Sequence, residues 1–110
     1  MTFDDYQQKA LTTVLRTDSD FLDLLHFILG VNGEAGEIAE KIKKIIRDKN
    51  GKVSAEDKVE LAKEIGDVLW YLAVLASQLG VSLDKVAEQN IEKLQSRQQR
   101  GKLGGSGDNR

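Results

Sequence analysis

The chain has no cysteine and no proline, and only one tryptophan and one histidine among its 110 residues. Without cysteine there is no disulfide framework, no thiolate metal site and no cysteine nucleophile. Without proline, breaks between elements must come from glycine and serine. Long apolar stretches are also missing. The longest run, Val68 to Ala76, falls far short of the roughly 18 residues that a membrane span needs. The opening, MTFDDYQQKALTT, is acidic and polar, unlike a secretory signal. Neither sign of charge dominates, since 31% of residues are charged and the formal net charge is -2. That balance excludes the basic excess of a general nucleic-acid binder, although a few local cations suffice for a small anion. These absences lead to the expectation of one cytoplasmic domain whose partners include neither a nucleic-acid polymer nor a membrane.

What is present reads as helix. Asp4–Arg16 forms a first segment and Ser19–Lys49 a second, with Ser19 or Asp20 as N-cap and Gly30 and Gly33 as points where it bends. Asn50-Gly51 is a turn and a helix stop. Ser54 caps a third helix, with Asp57 in a capping-box position, and this helix runs to about Gly80. Ser82 caps a fourth that continues to about Arg100, with Gly101 at its end. The last residues, GKLGGSGDNR, hold four glycines, too many for regular structure. Residues 1–101 therefore form the domain and 102–110 a glycine-rich C-terminal tail.

The third helix carries an apolar stripe, Leu61, Ile65, Val68, Leu72, Leu75 and Leu79, at spacings of three and four. Beside it run Glu60, Glu64, Asp67 and Tyr71 on the same edge. On the second helix Val31, Glu34, Ile38, Lys41 and Ile45 form a similar line, with Glu37 on its flank. The pattern is thus Glu34-x-x-Glu37 on one helix and Glu64-x-x-Asp67 on the next, each pair a turn apart on one side. Antiparallel helices packed about 8–10 Å apart can point four such carboxylates into a common space. Gly36 and Gly66 sit inside the pairs, each costing about 1 kcal/mol of helix propensity against alanine. That cost makes sense where backbones approach closely or a ligand needs room.

Either motif alone is ordinary on an amphipathic helix; the two together are informative. Like charges about 4 Å apart repel by about 4 kcal/mol at an effective dielectric near 20. Four convergent carboxylates without a cation would protonate or drive the helices apart. Either the two faces do not meet, or a divalent cation sits between them, and for such a cation oxygen-only donors favour magnesium or manganese over zinc.

GEAGEIAEKIKK, then EIGDVLWYLAVLA, then NIEKLQSR resembles the MazG-type all-α nucleoside triphosphate pyrophosphohydrolases. The likeness extends from the Phe3–Tyr6–Gln7 start to the GSGDNR end. That family's signature is an E-E-x-x-E block, a spacer, an E-x-x-D block and a downstream N-x-x-K followed by a basic residue. Gly33 stands where the fuller motif has its first glutamate, as in shorter members reading G-E-x-G-E. The resemblance implies metal ligands at Glu34, Glu37, Glu64 and Asp67, with magnesium as cofactor and manganese as a substitute. It implies substrate contacts from Tyr71, Asn90, Lys93 and Arg97, with Glu37 and Glu64 as the catalytic acids. It further implies an antiparallel four-helix bundle that assembles as a homodimer or a dimer of dimers. The expected reaction converts a (deoxy)nucleoside triphosphate to monophosphate and pyrophosphate, a house-cleaning role in the nucleotide pool. The alternatives are a related enzyme acting on phosphoribosyl-ATP or dUTP, and a non-catalytic helical dimerisation or regulatory module.

Four smaller signals complete the reading. Asn90, Lys93 and Arg97 share one face of the fourth helix. Lys43 and Lys44 face phosphate or solvent. His26, in LLHFILG, reads as a packed or interface residue, and Trp70, Phe27 and Phe21 as core. The tail reads as disordered by composition, whereas the resemblance implies that it folds over a neighbouring site with Asp108 and Arg110 as its contact groups.

Overall fold

A computed structural model describes all 110 residues as four helices without strands: α1 (Phe3–Ala10), α2 (Asp20–Lys49), α3 (Ala55–Gln78) and α4 (Leu83–Gln99). Each helix starts on a hydroxyl. Thr2 and Ser54 close reciprocal capping boxes with Asp5 and Asp57, while Ser19 and Ser82 accept from Leu22 and Lys85. Each cap satisfies a backbone N–H that the helix itself cannot serve. Asn50 ends α2 in the left-handed region at φ 53°.

α1 stops at Ala10, short of the expected Arg16. Thr12 and Thr13 turn their hydroxyls onto the carbonyls of Lys9 and Ala10, which competes with continuation of the helix. Trp70 then donates its Nε1 to Thr13 Oγ1 at 2.9 Å, and buried Asp23 accepts from both the N–H and the hydroxyl of Thr17. The segment is thereby pinned as a strap across the helices. α2, by contrast, runs unbroken through Gly30, Gly33 and Gly36.

α2 and α3 pack as a long antiparallel hairpin, and α1 sits on α3 and α4 at one end. The chain bends by 101° between α3 and α4, and no Cα of α4 lies within 8 Å of α2. One chain therefore builds a hairpin with two end helices, not a closed antiparallel bundle. Gln7 fixes the bend. Its buried amide donates to the carbonyls of Ala73 and Val81 and accepts from the N–H of Leu83, all at 3.1 Å. Asp4 and Asp84 add a reciprocal pair of bonds beside it, the backbone N–H of each donating to the carboxylate of the other.

The core is a cluster of Ala10, Phe27, Ala73, Val74, Ala76 and Leu83, with Tyr6, Trp70 and Tyr71 packed around it. The expected α3 stripe splits. Leu61, Val68 and Leu75 are half-buried, whereas Ile65, Leu72 and Leu79 are exposed. Leu22, Leu25 and Leu29 on α2 are exposed too, as is Phe21, which the sequence assigns to the core. The radius of gyration, 17.0 Å, exceeds the roughly 13 Å of a compact domain of this length. No single helix is long and apolar enough to cross a membrane.

Candidate metal centre

Three of the four acids converge. Carboxylate oxygens of Glu34 on α2 and of Glu64 and Asp67 on α3 all lie within 4.8 Å of one another. The i, i+3 spacing sets Glu64 and Asp67 on one side of α3, and the hairpin brings Glu34 across to them. Glu37 is exposed and outside this trio, although its charge reaches Glu34.

The carboxyl of Glu34 is pushed up from the ordinary glutamate value. Partial desolvation is the leading cause, followed by the charges of Asp67, Glu64 and Glu37 and by a hydrogen bond to Glu64 that only a protonated carboxyl can donate. The trio therefore holds more negative charge than its surroundings neutralise. One cation answers it: Lys41 Nζ stands 3.5 Å from Glu64 Oε1. Sequence reasoning placed Lys41 on the Glu34 line but gave it no role; its i+7 spacing from Glu34 was the available signal. Tyr6 was likewise missed. It lies near enough to Asp67 for that charge, after desolvation, to raise its phenol pKa.

The donor set fits a hard divalent cation. All three donors are carboxylate oxygens, the ligand type that magnesium or manganese would take in preference to zinc.

The glycines divide differently from expectation. A Cβ on Gly36 or Gly66 would meet nothing within 4 Å, so these positions leave room and do not serve close backbone approach. The close approach is at Gly30, where a Cβ would fall 2.2 Å from the Tyr71 ring. Tyr71 is thus wedged between the helices, edge-on to Trp70 at 5.0 Å and to His26 at 6.2 Å. Lys43 and Lys44 pair with Glu40, away from the acids.

Asn90, Lys93 and Arg97 do not join the trio within one chain. Asn90 is exposed on α4, and the ion pairs of Lys93 and buried Arg97 are with Asp108 of the tail.

Residues 23–101 match the MazG nucleotide pyrophosphohydrolase domain. Over its full length the chain is 48% identical to the Gene 37 protein of Mycobacterium phage L5, all of which is covered. It is 42% identical to YvdC of Bacillus subtilis (strain 168) across 58% of this chain and 65% of that protein. A second protein of that organism, YpjD, is 27% identical over 87% of this chain and 86% of its own length. No solved structure matches. The match spans both acid blocks and α4, well over half of the chain, and on that ground the chain belongs to the MazG nucleotide pyrophosphohydrolase domain family.

Proposed function

We propose that this protein hydrolyses (deoxy)nucleoside triphosphates to nucleoside monophosphate and pyrophosphate with magnesium held by Glu34, Glu37, Glu64 and Asp67. The observation that carries the reading is the convergence of three of these carboxylates from two helices, in a chain of a pyrophosphohydrolase family. When bound, the metal supplies charge neutralisation for phosphate oxygens and orientation for a water molecule. Glu34, Glu64 and Asp67 would hold it from the two helices of the hairpin. Glu37, exposed beside the trio, would be the fourth ligand and would accept a proton from the water that attacks the α-phosphorus. The bond from the α-phosphorus to the bridging oxygen breaks, and pyrophosphate leaves with that oxygen. Tyr71, held against Gly30, lines the hairpin side of the substrate.

The second half of the site comes from a second copy of the chain. α4 is turned away from α2, so Asn90 and Lys93 reach an acid trio only across an interface. The exposed Leu22, Leu25, Leu29, Ile65, Leu72 and Leu79 supply the apolar area that such an interface buries, and the paired hairpins complete a bundle. House-cleaning of the nucleotide pool is the role that follows.

A pyrophosphate-release assay over ordinary and modified nucleotides, with phosphoribosyl-ATP and dUTP in the panel, tests the reading with magnesium and with chelator. Metal-dependent release of pyrophosphate and monophosphate is expected. Diphosphate and inorganic phosphate as products would refute it.

A further inference from the structure

The C-terminal segment has no part in the acid trio, yet it is folded. Gly101, Gly105 and Gly107 take φ values of 67°, 90° and 86°, a region that glycine enters without steric cost. Arg110 turns back into the loop they form and donates to the carbonyls of Lys102, Leu103, Gly104 and Gly107. Arg100 in turn donates to the carbonyl of Arg110. So braced, the loop lays Asp108 on α4. Its Oδ1 accepts from Lys93 Nζ at 2.8 Å and from Arg97 Nη2 at 3.3 Å, and Arg97 also donates to its backbone carbonyl.

Three features mark a seat larger than its occupant. Both cations converge on one carboxylate oxygen, whereas a phosphate group offers an oxygen to each. The Arg97 side chain is only 7% exposed, and its Nε is a buried donor with no acceptor. Asp108 itself is 74% exposed, so it lies on the solvent side of the cations and can leave without opening the core. The field favours an incoming anion as well. Residues 93–110 carry Lys93, Arg97, Arg100, Lys102 and Arg110 against Asp108 alone, in a chain whose net charge is -2.

We propose that Asp108 is an internal stand-in for a phosphate-type oxyanion on Lys93 and Arg97, covering these cations in the free protein and leaving them when the ligand arrives. That the two cations contact a nucleotide's phosphates rests on the function proposed above; that Asp108 competes with an anion for them does not. The tail then acts as a strap, closed on its own α4 without ligand and released by the phosphate it imitates. Its release frees the Asp108 carboxylate and the Arg110 guanidinium together.

The test uses the full chain in chelator, with inorganic tripolyphosphate as the probe. Affinity is read by calorimetry and the tail by the amide resonances of Gly104, Gly105 and Gly107. Saturable binding is expected, with those resonances moving to random-coil positions as the site fills. Asp108→Asn removes the competing charge and binds about fivefold tighter, the equivalent of one exposed ion pair. Lys93→Met binds about tenfold weaker. Both positions are at the surface, so folding is not at stake. No saturable binding, tail resonances unmoved at saturation, Asp108→Asn binding no tighter than wild type, or Lys93→Met binding unchanged would each overturn the proposal. Nucleotide hydrolysis is scored separately with magnesium. A chain that passes the titration but hydrolyses nothing rejects the proposed activity and keeps the site; the reverse result rejects the site alone.

Discussion

Glu64→Gln separates a metal centre from a decorated helix surface. Glu64 stands within 4.8 Å of two other carboxylates and 3.5 Å from one ammonium group. A like-charged pair at such a separation repels by about 1 kcal/mol in water and about 3.5 kcal/mol at an effective dielectric near 20. The variant loses two repulsions and one attraction. The Lys41 pair, about a third exposed on the lysine side, contributes no more than about 1 kcal/mol. In chelator the variant is therefore expected to be as stable as wild type or up to about 1 kcal/mol more stable, a rise in Tm of up to about 4 °C. Magnesium stabilises wild type by mass action, about 2.7 kcal/mol at a hundredfold excess over Kd, and that gain disappears in the variant together with hydrolysis. Glu88→Gln, an exposed acid on α4, is the control and changes stability by less than about 0.5 kcal/mol with activity intact. Melting curves with magnesium and with chelator, plus one activity assay, decide the matter. A Glu64→Gln protein that melts well below wild type in chelator, or keeps its magnesium shift and turnover, refutes the reasoning.

Gly30→Ala adds a Cβ 2.2 Å from the Tyr71 ring and is expected to cost about 1–3 kcal/mol by overpacking, despite alanine's better helix propensity, as read by urea denaturation. Asp57 is held down to about 2, first by Lys49 and then by the Ser54 backbone and hydroxyl. Because its folded value lies below the ordinary 3.8, the stability it contributes is full above pH 4 and is lost as pH falls through about 2. Asp57→Asn should flatten the acid limb of the melting profile in that window. Glu34 shifts the opposite way. Its raised value means that the folded state binds the proton more tightly, so in chelator stability increases as pH falls through that value towards 4.5, and magnesium affinity declines over the same range. Calorimetric titrations of magnesium from neutral to mildly acid pH check the affinity, and Glu34→Gln should remove the pH dependence of melting in chelator.

The features readable in the sequence are those decided within a turn or two of chain. The serine caps at positions 19, 54 and 82, the Asn50-Gly51 stop and the i, i+3 acid pairs all depend on neighbours close in sequence. What eluded the sequence is set by distant partners. The early end of α1 depends on Trp70 and Asp23 capturing Thr13 and Thr17, and the bend before α4 on Gln7 reaching across from α1. Glycine content suggested a loose tail because composition cannot register one arginine bonding four carbonyls of its own loop. The pairs Glu34–Glu37 and Glu64–Asp67 were visible as pairs, but only side-chain placement distinguishes the converging trio from Glu37. The α3 stripe was legible as apolar, whereas which half faces inward depends on where α1 and α4 sit.

The Gln7 joint recognises peptide groups alone: two carbonyls and one N–H. A fastener of that kind is indifferent to the side chains of the residues it grips. Substitutions at position 81, which is exposed, leave its bond untouched so long as the backbone path is kept. Position 7 has no such latitude, since glutamate there would accept but not donate, and asparagine would be one methylene too short. The elbow between α3 and α4 thus concentrates its chemical requirement in a single residue of a different helix, leaving the surface of the turn free to drift in sequence while its angle stays fixed.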